Sequence, residues 1–216
     1  MVSITTLEIT GPHRSIHNTL FDQPDARHAA IVFPGLAYTC GMPLLWYSTY
    51  VLLSMGAEVL WAEYDYHRWP EFGSLSGEQQ NDLLRLESEA AIDALLSRRH
   101  YGRVTLIGKS LGTVAMSQLV ATRDRLEDAT AVWLTPIVPE IDPERAAARV
   151  RSLFVIGGAD AYYDAGGFVA FVEAARAESL VVDDADHILQ VGTDPLRNLQ
   201  IVEQVVRRVA SFLRAG

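Results

Sequence analysis

A serine between two glycines, in Gly108-Lys109-Ser110-Leu111-Gly112, is the first place where residue type and spacing point to chemistry. It lies where the apolar block RVTLIG runs into a helical segment. A strand that turns sharply into a helix has no room for side chains on either side of the turn, so glycines are required. The central serine is left exposed, in a strained conformation at a helix N-terminus. A serine hydroxyl is a poor nucleophile at neutral pH. It needs a neutral imidazole to take its proton and a carboxylate to hold that imidazole in the right tautomer.

Both partners stand downstream, each after a different apolar block. SLFVIGG from Ser152 runs into Ala159-Asp160, and ESLVVDD from Glu178 runs into Ala185-Asp186-His187. The order Ser110, Asp160, His187 is one of several chain orders known for nucleophile, acid and base, and it differs from the chymotrypsin and subtilisin orders. Asp164 is a second candidate for the acid, and Asp183, Asp184 and Asp186 crowd the histidine loop; Asp160 is favoured because it sits where the chain leaves the strand. His13, His17, His28, His67 and His100 are expected to be structural or solvent-exposed. A base of this kind works as the neutral imidazole, so activity should rise with pH as its proton is lost.

These residues must be positioned by an alternation of strands and helices. The strand blocks are AAIVF from Ala29, EVLWAEY from Glu58, RVTLIG from Arg103, TAVWL from Thr130, SLFVIGG and ESLVVDD, each expected to be buried on both faces. Helical segments run from Met42 to Met55, Ser76 to Arg99, Leu111 to Arg125, Ala165 to Ala177 and Pro195 to Leu213. Leu83, Leu84, Leu86, Ala90, Ala91, Ala94 and Leu95 form the clearest apolar stripe, and Asp194-Pro195 is a cap followed by the residue preferred at the first helical position. Ser3 to Thr10 and Ser15 to Phe21 flank Gly11-Pro12 and read as a hairpin of edge strands. Such alternation predicts a mostly parallel sheet covered on both sides. The stretch between Leu134 and Ser152 is too short for a helical lid, so the site should be open.

GKSLG resembles the nucleophile elbow of the α/β-hydrolase superfamily, GGAD its acid turn and DADH its histidine loop. The resemblance covers nearly the whole chain. It implies an α/β-hydrolase fold: a mostly parallel central sheet of about eight strands, helices on both faces, no separate cap domain, and hydrolysis through an acyl-enzyme. It also implies an oxyanion hole made of one backbone N–H in the loop IVFPGLAYTCG, from Leu36 or Ala37, and one from Leu111. Pro34 stands where a histidine is common in the superfamily.

Substrate contacts are expected from aromatic residues near strand ends, among them Tyr38, Tyr66, Trp69 and Tyr162. Lys109, next to the nucleophile, is expected to be a solvated lysine at the helix start, with a contact to an anionic substrate group as the alternative, and Cys40 a small buried hydrophobe.

Composition narrows the partners. A net charge of −9 argues against a nucleic-acid backbone or an anionic membrane surface. A length of 216 residues, 49% of them hydrophobic, favours one domain spanning 1–216. The lone Cys40 excludes an internal disulfide, and no zinc-ligand spacing is present. With no basic, apolar leader and no run of 18 apolar residues, a cytoplasmic protein is expected. The expected reaction is cleavage of a small carboxylic ester or thioester, without cofactor or metal. A non-catalytic binder of small molecules on this fold, or acyl-transfer, lyase or peroxidase chemistry at the same site, remains open to the sequence. So do the natural substrate and the oligomeric state.

Overall fold

A computed structural model describes residues 2–11 and 14–215. The strands are β1 (Ser3–Thr10), β2 (Ser15–Asp22), β3 (His28–Phe33), β4 (Ala57–Trp61), β5 (Arg103–Lys109), β6 (Thr130–Leu134), β7 (Arg151–Gly157) and β8 (Glu178–Val182). The helices are α1 (Pro43–Ser54), α2 (Pro70–Ser74), α3 (Gly77–Ser97), α4 (Leu111–Thr122), α5 (Ala165–Ala174) and α6 (Pro195–Arg214). The eight strands form one sheet in the order β1-β2-β4-β3-β5-β6-β7-β8, antiparallel at β1-β2 and β2-β4 and parallel from β4 onward. With helices on both faces and, among the described residues, no cap domain, this is the α/β-hydrolase fold.

The uninterrupted apolar runs of the central strands follow from burial on both faces. Along β3, Ala29, Ile31 and Phe33 enter one core, while Ala30 and Val32 enter the other. β6 splits in the same way, with Ala131 and Trp133 opposed to Val132 and Leu134. The first core is closed by α3, α4 and α5, including Leu84, Leu119 and Phe171, and the second by α1 and α6, including Leu45 and Val205. α6 starts where Asp194 accepts from the backbone N–H groups of Leu196 and Arg197, and α3 where Ser76 and Gln79 form a capping box.

Two expectations about the sheet are corrected. β2 is not an edge strand, because it pairs with β1 on one side and β4 on the other. β8 is an edge strand, with Glu178 and Ser179 exposed, so ESLVV is not buried on both faces. The β1-β2 hairpin is closed by a Gly11 N–H bond to the Arg14 carbonyl, while Pro12 and His13 lie outside the described residues.

Adjacent strands β3 and β5 lead to helices on opposite faces, α1 and α4. That divergence opens a crevice beyond their carboxyl ends, the place where open α/β sheets bind ligands. Among the described residues no helix is long and apolar enough to cross a membrane.

Candidate active site

Ser110 sits in the crevice, between the last residue of β5 and the first of α4. Its backbone has φ 51° and ψ −114°, a left-handed conformation costly for any residue but glycine. The glycines on either side allow this turn by close approach. A β-carbon on Gly112 would lie 2.7 Å from the Phe33 carbonyl carbon, and one on Gly108 would lie 2.6 Å from the Gly112 oxygen. Ser110 is further held by an N–H bond to the Leu134 carbonyl at 3.0 Å.

His187 Nε2 lies 2.8 Å from Ser110 Oγ, and His187 Nδ1 lies 2.8 Å from Asp160 Oδ2. The Asp160 carboxylate is fully buried, whereas His187 is 32% exposed at the side chain, so the open end of the chain of hydrogen bonds is the serine end. The other carboxylate oxygen accepts the Tyr162 N–H at 3.0 Å, which fixes its rotation. Asp164 is elsewhere engaged: it caps α5 by accepting the Gly167 N–H at 2.7 Å. The two loops are stitched together, with Gly158 N–H donating to the Val182 carbonyl and Ala159 N–H to the Ala185 carbonyl. Asp186 closes the histidine loop by accepting from the Ile188 and Gln190 N–H groups.

The loop after β3 lies against the nucleophile. A β-carbon on Gly35 would stand 3.4 Å from Ser110 Cβ, and the Gly35 N–H bonds the Tyr38 carbonyl at 2.9 Å. Leu36, next in the chain, is exposed on this loop. Leu111 is the first residue of α4, where N–H groups have no partner within the helix.

Beside Ser110 and His187 opens a cavity of about 890 Å³. Its walls are mostly apolar: Leu36, Tyr38, Met42 and Leu44 on one side, Ile188, Leu189, Leu199 and Val202 on the other. Tyr38 lines the same cavity as Ser110 and His187. Its phenol accepts the Leu44 N–H at 3.1 Å, and burial pushes its pKa up to about 12. Tyr162 is exposed and makes a T-shaped contact with the His187 imidazole, with centroids 5.3 Å apart.

Tyr66 and Trp69 are corrected. Tyr66 is buried, donates to Glu87 at 2.6 Å and stacks between Tyr64 and Phe72, while Trp69 packs on the same core. Neither lines the cavity at Ser110. A helical turn at Tyr66–Arg68 followed by α2 folds this segment back onto α3. Cys40 is buried, as expected, and burial raises its thiol pKa.

The expectation of a solvated Lys109 is also corrected. It is 1% exposed and not solvated. Its Nζ donates to Thr135 Oγ1 and, at 2.7 Å, to the His187 carbonyl, and it faces the Tyr38 ring at 5.0 Å.

Solved structures with low sequence identity share this fold. An esterase from Pyrococcus furiosus aligns at a TM-score of 0.73 and 16% identity, covering 99% of this chain and 93% of its own. A serine hydrolase without lid from Xanthomonas campestris aligns at 0.64 and 18% identity, covering 95% and 94%. A dienelactone hydrolase from Anabaena variabilis aligns at 0.64 and 17% identity, covering 95% and 96%. No protein-family model matches the sequence, and no curated protein matches it.

Proposed function

We propose that the protein is a serine hydrolase that cleaves a small carboxylic ester or thioester through an acyl-enzyme. One observation carries this reading: the unbroken hydrogen-bonded chain from Ser110 Oγ through both His187 nitrogens to Asp160 Oδ2, each link 2.8 Å long. The resemblance in fold to an esterase and two hydrolases supports the same reaction class.

Ser110 Oγ attacks the carbonyl carbon as its proton passes to His187 Nε2, and the carbonyl oxygen takes the negative charge. Asp160 holds the imidazole by its Nδ1 hydrogen and stabilises the imidazolium so formed. The backbone N–H groups of Leu36 and Leu111 bind the oxyanion. Collapse of the tetrahedral intermediate expels the alcohol or thiol, which carries away the proton from His187 and leaves the acyl group on Ser110. Water then attacks this ester with the same base, releasing the carboxylic acid and regenerating the serine.

The apolar cavity beside Ser110 suits an apolar acyl or alkyl group, because burying hydrocarbon there contributes roughly 25 cal/mol per Å². A panel of chromogenic esters and thioesters tests the proposal. Turnover by the native protein and none by Ser110→Ala is expected; equal turnover by both would remove it.

A further inference from the structure

The structure buries a cation that the proposed chemistry does not use. Lys109 forms no ion pair with a carboxylate within 4.0 Å among the described residues. Burying an ammonium costs free energy unless its donors are satisfied, and here all three directions are taken. One hydrogen goes to Thr135 Oγ1 just beyond β6, one to the His187 backbone carbonyl, and the third side faces the Tyr38 ring. Thr135 is itself held in place, at φ 41° with its N–H on the Val155 carbonyl at 2.6 Å.

We infer that Lys109 is a positioning residue for the proposed reaction: its ammonium ties the His187 backbone to the ends of β5 and β6 and to the loop bearing Leu36, holding the imidazole against Ser110. The inference rests on the serine-hydrolase reading. Its geometry is economical, because the lysine precedes the nucleophile directly and so fixes nucleophile and base to one another. A charged donor forms shorter and stronger hydrogen bonds than a neutral amine, and only the cation is attracted to the tyrosine face.

That dependence on charge gives a signature which a merely structural lysine lacks. Burial lowers the Lys109 pKa to about 8, an effect partly offset by Asp160 on the loop after β7 and Asp186 on the loop after β8. The other titratable groups facing it are His187 and the Tyr38 phenol, the latter pushed up to about 12 and so neutral throughout this range. Above a pH near 8 the ammonium becomes an amine with two hydrogens, the Tyr38 contact is lost, and the bond to His187 weakens.

The test follows the rate of Ser110 labelling by a fluorophosphonate, from about pH 6 to about pH 10, in the native protein, Lys109→Met and Thr135→Val. The native rate should rise with pH and then decline with a midpoint near 8. Lys109→Met should label roughly ten- to a hundredfold more slowly at neutral pH, with no alkaline decline. Thr135→Val removes one acceptor from the ammonium, disfavours the cation, and should move the decline to lower pH. It also stands in should Lys109→Met fail to fold. A native profile without the decline, a decline surviving Lys109→Met, or an unmoved midpoint in Thr135→Val would each overturn the inference while leaving the hydrolase reading intact. No labelling of the native protein would remove that reading and this inference with it.

Discussion

The α-carbon of Gly157 packs directly against the backbone of Ala185, so closely that a β-carbon there would stand 2.6 Å from the Ala185 carbonyl carbon and 2.6 Å from the Asp186 oxygen. The end of β7 and the histidine loop are thus in backbone contact, and the Ala159 N–H to Ala185 carbonyl bond at 2.9 Å locks the acid turn to the same loop. Asp160 and His187 meet because this contact has no side chain in it.

Gly157→Ala should therefore displace the histidine loop. The expected cost is about 1 to 3 kcal/mol of stability from overpacking, and roughly a hundredfold in kcat, since a shift of an ångström at a catalytic group has that effect. Urea unfolding and steady-state kinetics on the same sample check both numbers. A variant with native kcat would show that the loop tolerates the added methyl group.

The two aspartates on the loop after β7 should separate cleanly. Asp160→Asn keeps the shape but loses the charge that orients and stabilises the imidazolium, and kcat should fall by roughly 10⁴. Asp164→Asn touches only the cap of α5, and stability should change by no more than about 1 kcal/mol with kcat unchanged. Parallel kinetics on the two variants decides the assignment, and the reverse pattern would reassign the acid to Asp164.

A third expectation concerns stability and pH. His28 is buried in β3, 2.8 Å from Thr105 Oγ1, and burial, assisted by the Arg103 charge, lowers its pKa to about 4 from 6.5. The folded pKa is depressed, so below pH 6.5 the unfolded chain takes a proton that the folded protein refuses. Stability should fall as pH drops from 6.5 towards 4, by at most about 3 kcal/mol from this group. His28→Gln, which has no proton to gain, should show a shallower dependence in urea titrations over that window. An identical slope in both proteins would contradict the burial argument.

Much of this arrangement is legible in the residues themselves. The runs AAIVF and TAVWL declare strands covered on both faces, and GKSLG with Asp160 and His187 after later strands declares three side chains at one end of a sheet. The limits are equally specific. Tyr66 and Trp69 follow β4 as cleft residues should, but a short helical turn and α2 swing Tyr66 onto Glu87 and Trp69 onto Tyr66 and Phe72, and no periodicity reports the direction of side chains in irregular segments. Lys109 reads as a surface lysine because its type favours water; its acceptors lie 26 and 78 residues further along the chain and meet it only when β6 and the histidine loop are in place. β8 looks like its neighbours in composition, and only the strand order puts it at the edge.

The most direct test of the central claim is the mass of the intact protein after exposure to a fluorophosphonate probe, for the native chain and for Ser110→Ala. An activated serine adds one probe mass to the native protein and none to the variant, which is the expected result. Equal labelling of both, or of neither, would contradict the assignment of Ser110 as the nucleophile.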